Sequence, residues 1–118
     1  MDDRELVKIV ALGRMLDFYG PLLTAHRREL LRMYCEEDLS LTEIARIKSD
    51  AGQRISRQGV YDAVMNAQKQ LMEYEEKLGL IERYDRMARE ADICLQALEP
   101  GGAGLETAKA ALQRMIEY

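Results

Sequence analysis

"SLTEIARIKSDAGQRISRQGVYDAVMNA", residues 40–67, is the stretch on which the fold turns. Its first four residues form a capping box: the Ser40 hydroxyl takes the amide of Glu43, and the Glu43 carboxylate returns to the amide of Ser40. This starts a short helix with Leu41, Ile44 and Ala45 toward the core and Ile47 as a further candidate. The polar run "KSDAGQR", residues 48–54, is expected to break it. Ser56 then caps another helix, whose exposed first turn is Arg57-Gln58. A short helix that props the next one so that its N-terminal turn projects outward is a helix-turn-helix.

Working back from this stretch, Thr24 caps a helix that runs to about Glu36 with Leu30, Leu31 and Tyr34 inward. Before it, Leu6, Ile9, Val10, Leu12, Leu16 and Phe18 or Tyr19 mark an amphipathic helix that stops at Gly20-Pro21. Working forward, Val60, Val64, Ala67, Leu71, Tyr74, Leu78 and Ile81 recur at alternating steps of four and three, the seam of a coiled coil or a tight helix pair. The pattern resumes at Tyr84, Ala88, Ala91, Leu95 and Leu98, with one step a residue short just beyond Gly79. The seam can pack on the first helix or on a second copy, and its length in so small a chain favours a homodimer. "EPGGAG" breaks the helix, and "LETAKAALQRMIEY" is a last short helix.

No segment has a sustained period of two, so the predicted fold is all-α. It comprises a helix-turn-helix of winged-helix-like or sigma-factor type over about 24–77, followed by long coiled-coil-like helices over about 57–98. Residues 1–98 form a single helical domain in this reading, and 99–118 a hinge with a terminal helix.

The chain has 118 residues, 17 basic and 21 acidic side chains and a formal charge of −4. That balance argues against a tight nucleic-acid binder until it is divided along the chain. Residues 58–118 hold 7 basic and 11 acidic side chains, whereas 46–57 hold four basic and one acidic. The acidity therefore lies mostly beyond the reader turn. The local excess suits a few phosphate contacts, which leaves affinity to be reinforced by dimerisation.

The expected nucleic-acid-binding residues are Arg46, Lys48, Arg54, Ser56, Arg57, Gln58, Tyr61, Asn66 and Lys69. Arg57 and Gln58 suit bidentate contacts with guanine and adenine, and Arg46, Lys48 and Arg54 suit phosphates. The same residues also suit an ordinary solvated first turn.

The inventory for an enzyme is thin. His26 is the lone histidine and stands beside Arg27 and Arg28, no GxxxxGK[ST] is present, and Glu75 and Glu76 point about 100° apart on a helix. Cys35 and Cys94 lie 59 residues apart without a CxxC, so they read as small buried hydrophobes rather than metal ligands, and no cofactor is expected. The opening "MDDRELVKIVALGRML" is too interrupted by charge for a signal peptide or membrane span, and a cytoplasmic location is expected.

"LDFYGPLLTAHRRELLRMYCEEDLSLTEIA" followed by "ISRQGVYDAVMNAQKQLMEYEEKLGL" resembles the YlxM family. These are small bacterial proteins with a helix-turn-helix similar to the fourth region of sigma factors. The resemblance covers roughly residues 12–98 and is carried by the pair "DFY…LLT" and "SRQ.VYD", with Tyr74, Glu75, Lys77 and Leu78 beyond. It departs at "RIKSDAGQR", where the family has a shorter turn. The resemblance implies a role beside the signal recognition particle, either as a regulator that binds nucleic acid or as a module that docks on the particle's protein or RNA and modulates its GTPase cycle. The acidic density of residues 73–92 suits the second role.

Overall fold

A computed structural model describes residues 3–117, with side chains for residues 10–117. Six α-helices follow in order: α1 (Asp3–Tyr19), α2 (Ala25–Cys35), α3 (Leu41–Asp50), α4 (Arg57–Leu78), α5 (Leu80–Leu98) and α6 (Leu105–Ile116), with a 3-10 turn at Gly20–Leu22. Among the described residues there is no strand, hence no β wing, and the all-α class stands, with α3 and α4 in the order of a helix-turn-helix.

The chain forms two compact units, Met1–Leu78 and Gly79–Tyr118. The sequence reading drew the division after residue 98. Gly79 marks the break between α4 and α5, with φ 61° and ψ 29°, a left-handed conformation that costs glycine little.

In the first unit the capping logic is realised bond by bond. Thr24 Oγ1 accepts from the amide of Arg27 at 3.3 Å. Ser40 Oγ accepts from the amide of Glu43 at 3.1 Å, and Glu43 Oε1 accepts from the amide of Ser40 at 3.3 Å. The core holds Leu12, Leu16 and Tyr19 of α1, Leu30, Leu31 and Met33 of α2, Ile44 of α3, and Val60, Val64, Ala67 and Leu71 of α4. The seam read from Val60 to Leu71 is thus covered by the chain's own α1, α2 and α3.

Some expected core positions differ: Leu78 is exposed, and Leu41, Ala45 and Tyr74 are half-buried. Val10 and Ile47 are exposed, because α1 meets its neighbours along the Leu12–Leu16–Tyr19 stripe and α3 turns Ile44 and Lys48 inward. Tyr34 is half-buried. Leu6 and Ile9 lie outside the described side chains. Cys35 is half-buried, and burial pushes its thiol up to about 11, so it remains a protonated packing group at neutral pH.

The unit is fastened where α1 ends. Tyr19 is buried and its hydroxyl donates to Glu75 Oε1 on α4, while its ring lies 6.0 Å from that of Tyr74. Beside it, Arg27 Nη1 donates to Gln70 Oε1 at 3.0 Å and Gln70 Nε2 donates to the Tyr74 hydroxyl at 2.9 Å. Polar contacts thus tie both α1 and α2 to α4.

The second unit is a hairpin of α5 and α6. Cys94 and Ala97 pack on Ala108 and Ala111, Arg114 Nε donates to Glu90 Oε2 at 2.8 Å, and Arg86 Nη2 donates to the Glu117 carbonyl at 2.9 Å. These pairings run antiparallel. At the connecting turn a Cβ on Gly102 would stand 2.3 Å from the Gln96 carbonyl oxygen, so only glycine fits.

Two substitutions test this account. Tyr19→Phe removes the only donor that a buried tyrosine offers Glu75 and should cost about 1–3 kcal/mol in urea unfolding. Ser40→Ala should cost about 1 kcal/mol through the lost cap, and Ser40→Asp should recover most of it.

Candidate nucleic-acid interface

The turn before α4 is built from the C-terminus of α3. Instead of breaking at residue 48, α3 continues to Asp50, and Gly52 (φ 87°) closes it. The amide of Gln53 bonds the Lys48 carbonyl at 2.9 Å and the amide of Gly52 bonds that of Ser49 at 3.1 Å, the two bonds of a Schellman motif. Part of the polar run is therefore helical, and the connection shortens to residues 51–56.

Ser56 then caps α4, accepting the Gly59 amide on its Oγ at 2.9 Å. Ile55 packs under this first turn: a Cβ on Gly59 would meet its Cγ1 at 2.9 Å. The first turn of α4 is thus seated on Ile55.

With Val60, Val64, Ala67 and Leu71 buried, the opposite side of α4 faces solvent. Arg57, Gln58, Tyr61, Asn66 and Lys69 are all exposed, as are Arg46 on α3 and Arg54 in the turn. The Ser56 hydroxyl serves as the cap. Gln58 Nε2 donates to Asp62 Oδ1 at 3.0 Å, so its amide is already oriented one turn along the helix.

Met65, exposed in the middle of this face, went unnoticed in the sequence because methionine at helical spacing reads as core. Past Lys69 the face changes sign, with Met72, Glu73 and Glu76 exposed. The region suited to an anionic partner is therefore confined to the first three turns of α4 and the preceding turn.

Lys48 is the correction among the expected phosphate contacts. It is buried, and its Nζ lies 2.6 Å from Glu29 Oε2 on α2. Four residues beyond Ile44, it falls on the inward face of α3, where the carboxylate satisfies it. The hydrogen bond from Lys48, then its charge, hold the Glu29 carboxyl below its ordinary value. His26, Glu29, Lys48, Gln53, Arg54 and Ile55 line an open cleft of about 530 Å³ at this point.

Residues 6–98 match the family model UPF0122, "Putative helix-turn-helix protein, YlxM / p13 like". Among similar curated proteins is the UPF0122 protein of Symbiobacterium thermophilum, 42% identical over 101 residues that cover 86% of this chain and 88% of that one. That of Desulforamulus reducens is 37% identical over 106 residues, covering 86% of each. The Caldanaerobacter subterraneus protein is 46% identical over 78 residues, 66% of this chain, and the match spans 62% of the relative's length.

The Lys48–Glu29 pair is asymmetric, because the lysine is buried while the Glu29 side chain is 49% exposed. Glu29→Ala strands a buried ammonium and should destabilise the fold by about 3 kcal/mol, whereas Lys48→Met leaves a solvated carboxylate and should cost under about 1 kcal/mol. Since the folded carboxyl is held low, the pair's contribution is complete above the ordinary carboxylate range and is lost as the pH falls through the folded value. Urea midpoints measured on acidification should therefore fall further for the wild type than for Lys48→Met.

Proposed function

The chain belongs to UPF0122, the YlxM/p13-like helix-turn-helix family, and from that premise we propose that it is a regulatory protein that reads nucleic acid through the first turns of α4. The observation that carries this reading is the seating of Arg57, Gln58 and Tyr61 on the solvent side of a helix whose other side is buried, with Arg46 and Arg54 beside them. Arg57 and Gln58 contact base edges, Tyr61 and the two flanking arginines contact phosphate, and Asn66 and Lys69 extend the face inside a groove.

With Lys48 engaged by Glu29, each copy offers few phosphate contacts. Binding is therefore modest and is reinforced by a homodimer. In this reading the protein acts in the cytoplasm beside the signal recognition particle, a placement that the family resemblance supports, and its role there is regulatory rather than catalytic. Among the described residues no helix is long and apolar enough to cross a membrane.

One observation favours a second reading within the same pathway. Glu73 and Glu76 are exposed on α4 beyond Lys69, and an acidic edge suits docking on a basic ribonucleoprotein surface. In that case the protein docks on the particle and modulates its cycle without reading a sequence.

Fluorescence anisotropy against duplex fragments and signal recognition particle RNA, across a salt series, separates the two. The first reading expects a slope of log K on log salt of about −2 per protomer, from the two phosphates that Arg46 and Arg54 neutralise. Arg57→Ala should weaken the preferred duplex by about 1–3 kcal/mol and flatten the preference. Absence of duplex binding at low salt, with particle binding abolished by Glu73→Lys/Glu76→Lys, would establish the second.

A further inference from the structure

The hairpin of α5 and α6 has a very small interior. Among the described residues its buried core is Cys94, Ala97, Ala108 and Ala111, one thiol and three methyl groups for a 40-residue unit. Units of that size hold together when something beyond their own core is buried.

The large apolar side chains lie elsewhere. Leu95 is 64% exposed, Leu98 52%, Leu105 74%, Leu112 49% and Ile116 75%. Leu95, Leu98 and Leu112 each follow directly on a seam residue (Cys94, Ala97 and Ala111), and Leu105 and Ile116 share the stripe of Leu112 at seven- and four-residue spacing. One residue is a 100° turn, and in two antiparallel right-handed helices that turn swings both sets to the same side of the pair. The five side chains therefore lie on one face, which Lys109, directly after Ala108, shares.

We infer that this face is the dimer interface, covered by the same face of a second copy to make a four-helix bundle. The inference deepens the dimeric reading proposed above by naming the surface. Five side chains this exposed offer on the order of 600 Å² per copy, the lower bound of what a specific interface buries on each partner.

The charges at its margins choose a like partner and an orientation. Exposed Asp92 and Glu99 lie along the outer margin of α5, whereas on α6 exposed Lys109 follows directly on the seam residue Ala108, between Leu105 and Leu112, with exposed Glu106 outside it. A two-fold axis parallel to the helices lays α5 of one copy on α6 of the other. Lys109 of each copy then meets Asp92 and Glu99 of its counterpart and outweighs the single acid Glu106 beside it, whereas α5 on α5 would oppose acid to acid with no base between.

The test is sedimentation equilibrium of the full chain at about 100 μM, a concentration at which a micromolar dimer is saturated. The wild type should run at twice its 13.5 kDa chain mass. Leu95→Glu/Leu112→Glu should reduce it to the single-chain mass with the helical circular dichroism of residues 1–78 kept. Lys109→Glu should weaken the dimer about tenfold, and adding Asp92→Lys to the same chain should restore it, which decides the matter even if the double leucine variant misfolds.

A wild type at single-chain mass, or a dimer indifferent to all these changes, overturns the assignment. Duplex anisotropy on the same samples keeps the two ideas apart. A monomer that binds duplex removes this interface and leaves the reader standing, and a dimer that binds none does the reverse.

Discussion

The buried Tyr19 hydroxyl is the constraint on which the first unit depends. A phenol removed from water must find an acceptor or forfeit the free energy its burial gains, and the acceptor within reach is Glu75 near the far end of α4. Satisfying it fixes where α1 stops against α4, and the Arg27–Gln70–Tyr74 chain does the same for α2. With α4 held at that end, Val60 to Leu71 bury toward α1 and α2. Gln58, Tyr61 and Arg57 are left outside. The exposure of the first turn of α4 is thus set in part by contacts about four turns away from it.

Much of this was legible in the residues. Ser40-Leu41-Thr42-Glu43, Thr24, Ser56 and Gly20-Pro21 signal helix boundaries through local chemistry, and each boundary falls within a residue or two of where they put it. What escaped is tertiary in origin. "KSDAGQR" reads as a breaker because it is polar, yet Lys48 finds Glu29, 19 positions earlier, and that pair with the Gly52 closure carries α3 one turn further. No local pattern announces a partner so distant.

The seam illustrates a second limit. A repeat of four and three identifies a stripe without saying what covers it. From Val60 to Leu71 the cover is the chain's own helices, whereas along α5 the buried positions are Cys94 and Ala97, beside the stripe, because alanine-sized residues let α6 approach closely. Arg57 and Gln58 were legible as exposed polar types at the start of a helix. Only the fold distinguishes Arg46 and Arg54, which face solvent, from Lys48, which does not.

The contact between Tyr19 and Glu75 also orders the folding of the chain in time. Those residues are 56 positions apart, whereas the α5–α6 hairpin closes across separations of no more than about 31. During synthesis α1 to α3 emerge with no acceptor for Tyr19, and the first unit cannot complete until α4 has cleared the ribosome almost to its end. Until then the apolar side of the early helices remains open to chaperones, and the first turn of α4, although already translated, has no buried face to hold it outward.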